Sequence, residues 1–269
     1  WLVGGALADV LRGGGGSDYL VGGDGDDLLE GGNGDDYLDG GNGVDVLNGG
    51  AGDDTFKVGD SRNHDQVDGG DGTDTLVADL SWFSGDFALD NDPAVTTVLP
   101  GGTIYTGIEG FNLTLGAGND ALDNTRTGGS DYWITGDGND VINSGGGNDV
   151  IDAGDGNDTI DSGSGNDVVN AGAGDDVIYH KDGGYDTVDG GAGVDRLVLD
   201  FSGDTRKLRE YAYDATGDLL GAINWDGVVP DGTVKIRIGG DINSYYYYLS
   251  NVFGVTYSGI EHLEVTGTP

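Results

Sequence analysis

Residues 13–57 read GGGGSDYLV, GGDGDDLLE, GGNGDDYLD, GGNGVDVLN and GGAGDDTFK, five consecutive nine-residue units with no break in register. Each fits G-G-x-G-x-D-x-U-x, where U is a large apolar residue. After a two-residue insertion, 60–68 keeps the Asp and the apolar position, and 69–77 (GGDGTDTLV) is again complete. A second array starts at Leu115 with LGAGNDALD and skips Asn124 and Thr125. It then runs through RTGGSDYWI, TGDGNDVIN, SGGGNDVID, AGDGNDTID, SGSGNDVVN and AGAGDDVIY. One inserted residue, His180, precedes KDGGYDTVD and GGAGVDRLV, which end at Val198. Across these sixteen units the sixth position is always Asp and the eighth always apolar. The fourth is Gly in all but one, where Asn63 stands.

Each position of the unit has a physical task. The glycines permit a tight turn with positive φ, which aims carbonyl oxygens and one carboxylate into a common concavity. The x-U-x that follows is a short strand whose central side chain faces inward. One unit is therefore half a coil, and two close one coil of a flattened solenoid with a thin apolar core between two parallel sheets. Stacking brings the sixth-position Asp of one coil beside that of the next on the same edge, where bare carboxylates repel. A hard cation held by carboxylate and carbonyl oxygens removes the repulsion, and a flexible all-oxygen site suits Ca²⁺ better than Mg²⁺.

These units resemble the RTX (repeats-in-toxin) family of calcium-binding parallel β-rolls over residues 13–77 and 115–198. The resemblance implies an all-β chain built of right-handed parallel β-roll (β-solenoid) arrays. It also implies multiple Ca²⁺ ions bound between stacked loops by the sixth-position aspartates and by loop carbonyls. The implied carboxylate ligands are Asp18, Asp27, Asp36, Asp45, Asp54, Asp74, Asp120, Asp140, Asp149, Asp158, Asp167, Asp176 and Asp195. Asp65, Asp131 and Asp186 join them from loops that lack one or both leading glycines. The implied glycine ligands in the first array are Gly14, Gly16, Gly23, Gly25, Gly32, Gly34, Gly41, Gly43, Gly50 and Gly52. In the second they are Gly136, Gly138, Gly145, Gly147, Gly154, Gly156, Gly163, Gly165, Gly172 and Gly174.

Outside the period, 78–114 and 199–269 read as ordinary β structure, with alternating runs such as TVKIRI and the tract Tyr245–Tyr248. They share two spellings. Asp74-Thr-Leu-Val-Ala-Asp-Leu-Ser matches Asp195-Arg-Leu-Val-Leu-Asp-Phe-Ser, and Tyr105-Thr-Gly-Ile-Glu-Gly-Phe matches Tyr257-Ser-Gly-Ile-Glu-His-Leu. The expected organisation is two tandem copies of one module. The first array spans 1–77 with a degenerate cap at 1–12, and a β insert follows at 78–114. The second array spans 115–198, followed by a longer β insert or cap at 199–269. A start at Trp1 without Met, and a second copy that stops where a third array would begin, give the expectation of a piece of a longer tandem protein.

Composition narrows the function. The 269 residues include 57 glycines and 49 acidic residues against 11 basic, for a net charge of −38. Only five of the acidic residues are glutamate, leaving 44 aspartates, the shorter side chain favoured in turns and oxygen-ligand sites. Such a charge repels phosphate and anionic lipid, which excludes nucleic acid as a partner. No stretch approaches the roughly 18 apolar residues that a membrane-spanning helix needs, so no membrane insertion is expected. With no cysteine there is neither a disulfide nor a thiolate metal site. The three histidines, His64, His180 and His262, are scattered, and neither H-E-x-x-H nor G-x-S-x-G occurs, so no enzymatic activity is expected. His64 and His180 fall at irregularities of the arrays and are expected in exposed loops. Trp133, at an eighth position, is expected in the core.

The resemblance implies a calcium-folded structural or interaction module of an extracellular or cell-surface protein, exported unfolded by type I secretion. Adhesin, fibre, S-layer and toxin-like settings all fit, with neighbouring subunits or extracellular polysaccharide as further partners. The alternative is an accessory module of a secreted carbohydrate-active enzyme or hydrolase.

Overall fold

The structure, a computed structural model, describes residues 1–60, 64–180 and 184–201. Beyond these it describes the strands Glu210–Tyr213, Leu219–Ile223, Val234–Arg237, Tyr245–Leu249, Phe253–Ser258 and His262–Gly267. Asn63 and Glu261 lie outside the described residues, as do the side chains of the tract Tyr245–Tyr248. The described residues are all-β and contain no helix. The chain divides into two compact units, one of residues 1–117 with 124–133 and one of 118–123 with 134–269.

In the first unit the nonapeptides alternate between two parallel sheets. One sheet stacks Leu2–Gly5, Tyr19–Asp24, Tyr37–Asn42, Thr55–Asp60, Thr75–Asp79 and Gly110–Thr114 in that order. The other stacks Val10–Gly15, Leu28–Asn33, Val46–Ala51, Gln66–Asp71 and Ile104–Thr106, with Thr97–Val98 antiparallel beyond. Leu20 pairs with Leu38 and Leu29 with Leu47, so the coil repeat is two units, as the period requires. Past the insertion the register lengthens by the inserted residues, and Phe56 pairs with Leu76.

The second unit is also built of two parallel stacks. Ala121–Asp123, Val141–Asn143, Thr159–Asp161, Val177–His180, Arg196–Phe201 and His262–Gly267 stack in parallel, with Val234–Arg237 antiparallel to the last. Val150–Asp152, Val168–Asn170, Tyr185–Asp189 and Phe253–Ser258 form the facing parallel stack. Antiparallel strands Tyr245–Leu249, Glu210–Tyr213 and Leu219–Ile223 extend it. Tyr245–Tyr248 thus lies in a strand with a partner on each side.

The core is the eighth-position column. Leu20, Leu29, Leu38, Leu47, Phe56 and Leu76 are fully buried in the first unit, as are Ile142 and Ile160 in the second. Trp133 is fully buried and stacks on Phe111 with ring centroids 5.4 Å apart. With one inward side chain per half-coil, the apolar layer is thin. The aspartates at the edges then decide whether the coils close, because burying them unpaired opposes what the apolar column contributes.

Two features depart from the sequence expectation. Strands of the first array are six residues long and run through the leading glycines, whereas those of the second are mostly three. A Cβ on Gly22 would lie 2.5 Å from the Gly40 carbonyl oxygen, so glycine there lets adjacent coils approach closely enough to continue the ladder. The second array has Thr135, Ser144, Ala153, Ser162 or Ala171 at that position, all buried, and its strands stop short of it.

The second departure concerns the segments outside the period, which end as coils of the roll itself. Tyr105 pairs in parallel with Val67 and Phe111 with Leu76, and Tyr257 pairs with Val188 and Leu263 with Leu197. In the first copy, Gly107-Ile108-Glu109 of this spelling forms the turn between stacked strands.

Candidate metal centre

Every glycine assigned above as a ligand has positive φ, from Gly163 at 80° to Gly138 and Gly156 at 145°. Gly156 shows why no other residue serves. A Cβ there would lie 1.5 Å from the Gly138 carbonyl oxygen, besides being strained by its φ. These turns set the direction of the sixth-position aspartates, which point inward at both edges and are buried from Asp27 onward through the first array.

The aspartates form ladders along the stacking direction. On one edge of the first unit, Asp9 N–H donates to Asp27 Oδ1 at 2.8 Å, Asp27 N–H to Asp45 Oδ1 at 2.8 Å and Asp45 N–H to Asp65 Oδ1 at 2.9 Å. On the other edge, Asp18 donates to Asp36, Asp36 to Asp54 and Asp54 to Asp74 in the same way. In the second unit one series runs Asp120, Asp140, Asp158, Asp176, Asp195 and another Asp149, Asp167, Asp186. The spacing of the period thus places fifteen of the sixteen predicted aspartates in stacked carboxylate columns, while Asp131 Oδ1 accepts instead from Phe111 N–H at 2.8 Å.

Within the columns Oδ1 accepts from the preceding coil, and the other oxygen is left over. Oδ2 of Asp18, Asp27, Asp36, Asp45, Asp54, Asp65 and Asp74, and of Asp140, Asp158, Asp167 and Asp176, is buried without a hydrogen-bond partner. A buried oxygen of this kind costs about 1–3 kcal/mol, more when charged. In the first array these oxygens converge with carbonyls of the next coil. A Cβ on Gly31 would lie 2.4 Å from Asp36 Oδ2 and 2.8 Å from the Gly49 carbonyl oxygen. The same cradle recurs at Gly13 with Asp18 and Gly31, at Gly22 with Asp27 and Gly40, and at Gly49 with Asp54 and Gly69.

The approaching carbonyls belong to first-position glycines, beside the second- and fourth-position glycines named above. Carbonyls of the second-position glycines Gly136, Gly145, Gly154 and Gly172 accept hydrogen bonds from the next coil, as in Asp155 N–H to Gly136 O at 2.9 Å. Each retains a second lone pair.

Electrostatics follow from this burial. Desolvation lifts the carboxyls of Asp74 and Asp158 from 3.8 to about 7, and those of Asp54, Asp65 and Asp167 to about 6. Asp27, Asp36, Asp45 and Asp176 are raised from the same cause. The backbone N–H from the preceding coil opposes the shift, and neighbouring carboxylates reinforce it. These groups resist ionisation unless positive charge is brought to them. The donor set is paired carboxylates and carbonyls, with no cluster of three or more acidic or histidine side chains among the described residues. It fits a hard cation with oxygen ligands such as Ca²⁺.

Two positions differ, and both follow an inserted residue. At Asp131, Oδ2 accepts from Asn124 Nδ2 at 2.9 Å. At Asp186, Oδ2 pairs with His180 Nδ1, and both side chains are 1% exposed. His180 was expected in an exposed loop and is instead buried beside the carboxylate, because it continues the core strand Val177–His180 as its last residue and faces inward, as Ile178 does. His64 is exposed, with φ of 67°. The insertions therefore carry polar hydrogen to carboxylates whose loops lack their leading glycines. Asn124 is fully buried and also accepts from Asn91 Nδ2 at 2.8 Å. Asn124→Ala is expected to cost about 1–3 kcal/mol in urea unfolding at fixed calcium.

Fifth positions carry a further ladder that the sequence reading missed. Val44 N–H donates to Asp26 Oδ1, Asn157 N–H to Asn139 Oδ1 and Asn166 N–H to Asn148 Oδ1, all exposed. The frequency of Asn and Asp there was the available signal.

The RTX calcium-binding nonapeptide repeat (4 copies) family model matches residues 1–29, 21–56, 60–80, 125–160, 152–184 and 182–205, together more than half of the chain. No curated protein matches.

Proposed function

The chain belongs to the RTX calcium-binding nonapeptide repeat family, and from this premise we propose that it is a non-catalytic, calcium-folded module of a secreted or cell-surface protein. The proposal extends to several ions per chain, bound between stacked turns at the carboxylate columns. It rests on one observation above others, the repeated series of buried Oδ2 atoms that lack a donor among the described residues. Bound calcium supplies the positive charge that makes the ionised, buried form of those carboxylates favourable. The protein's own part is to hold each pair of oxygens in place through the N–H to Oδ1 ladder and the positive-φ turns, and to close the apolar column behind them.

Extracellular calcium modules work at about 10⁻⁴ to 10⁻³ M, well above resting cytosolic levels. A chain of this charge stays expanded inside the producing cell and folds outside, which suits export of the unfolded chain through a type I channel. Elemental analysis after dialysis into millimolar calcium is expected to find several ions per chain, with fewer in Asp36→Asn/Asp54→Asn. Absence of stoichiometric calcium from the wild-type chain would overturn the proposal.

A further inference from the structure

The first array leaves its nonapeptide period after residue 77, yet its carboxylate column continues by one more member. Asp74 N–H donates to Glu109 Oε2 at 2.9 Å, as Asp54 N–H donates to Asp74 Oδ1 at 2.8 Å one coil earlier. The backbone register places Glu109 in the same role. Tyr105 stands opposite Val67 and Phe111 opposite Leu76, so the turn between these strands is three residues shorter than the unit it stacks on. Gly107-Ile108-Glu109 spans what Gly69 to Asp74 spans below it. A side chain one methylene longer than Asp makes up part of the distance that the shorter backbone gives up.

The carbonyl side of the site is present as well. A Cβ on Gly69 would lie 1.8 Å from the Gly107 carbonyl oxygen and 2.5 Å from Asp74 Oδ2, the arrangement that Gly49 has with Gly69 and Asp54. Asp74 is fully buried, and its Oδ2 has no hydrogen-bond partner. Glu109 is held from both sides of its backbone. Its N–H donates to the Asp74 carbonyl at 3.0 Å, and its own carbonyl accepts from Asn124 Nδ2 and Thr127 Oγ1, each at 2.8 Å. Such fixed backbone geometry is what a preorganised ligand needs.

We infer that Glu109, Asp74 and the Gly107 carbonyl form a further calcium site, with Glu109 standing in for a sixth-position aspartate beyond the end of the first run of repeats. The site rests on the calcium-module reading above. It adds that a Gly-Ile-Glu turn can carry the ion column where the nine-residue spelling has ended. Glutamate is rare in this chain, so one at this point of the column has a use other than surface charge.

The test is a calcium count by elemental analysis and equilibrium dialysis on the folded chain, with folding checked by near-ultraviolet circular dichroism. Glu109→Gln keeps an oxygen to accept the Asp74 N–H and is expected to bind one calcium ion fewer than wild type. Glu30→Gln, outside the columns, is expected to bind the wild-type number. Asp74→Asn and Asp74→Asn/Glu109→Gln are expected to bind equally, since both residues serve one site. An unchanged count and half-saturation in Glu109→Gln, or a further ion lost from the double variant, overturns the inference. A wild-type chain without calcium would instead overturn the reading it rests on.

Discussion

Chelation with EGTA at near-neutral pH is expected to abolish the β-sheet circular dichroism of this chain, and return of millimolar calcium to restore it cooperatively. The described repeats bury eleven Oδ2 atoms without a donor among the described residues. At about 1–3 kcal/mol for each such oxygen, the total is on the order of 10–30 kcal/mol, as large as or larger than the 5–15 kcal/mol by which domains are ordinarily stable. The apolar column, one side chain per half-coil, has little reserve to offset it. Ions that bind only the native state contribute their binding free energy to folding, and each further stacked site raises the dependence on calcium concentration. A β spectrum that survives exhaustive chelation at this pH would refute the account.

Acid is expected to replace calcium in part. In the metal-free chain the buried carboxyls of Asp74 and Asp158 titrate at about 7, and those of Asp54, Asp65 and Asp167 at about 6, against 3.8 for the ordinary group. Between these values the native state holds more protons than the unfolded state, so stability falls as pH rises through the window from 6 to 7. Below about 3.8 both states are protonated, and the contribution is at its full value. The EGTA-treated chain is therefore expected to be unfolded at about pH 8 and to recover β structure towards about pH 5. Near-ultraviolet dichroism from Trp133, fully buried against Phe111, separates recovered packing from loose acid collapse. Asp74→Asn and Asp158→Asn, which remove titrating groups, are expected to flatten the profile. A metal-free chain equally folded, or equally unfolded, at both pH values would contradict the assignment. With calcium present the sign reverses, because protons then compete for the same oxygens.

The extent to which the linear sequence revealed this protein varied with the kind of interaction. Sixteen aspartates and their apolar partners at a spacing of nine residues specify half-coils. The two-unit register that pairs Leu20 with Leu38 follows, because only that pairing puts like positions on like edges. Composition alone, with 57 glycines and a charge of −38, would have suggested a disordered acidic tail. The period converts those residues into turns and ligands.

The exceptions were different. Asn124 and His180 looked like interruptions of the arrays, yet each places a donor on the carboxylate of the degenerate unit that follows. Glu109 lay outside any repeat, yet it takes the next place in the column after Asp74. The first-position glycines fitted the spelling, but only the stacked coils show their carbonyls converging on Oδ2 atoms.

What the sequence determined by itself was therefore everything periodic: the all-β solenoid, the coil length, the buried column and the aspartates at its edges. A local rule repeated at constant spacing needs no knowledge of distant residues. What the tertiary structure decided was everything that breaks the period, namely which oxygens remain without donors, which insertions satisfy a carboxylate, and where the column continues on a glutamate. Those outcomes depend on atoms brought together from neighbouring coils, such as Asp74 with Glu109 across a chain separation of 35 residues. No spacing within one unit encodes such a meeting.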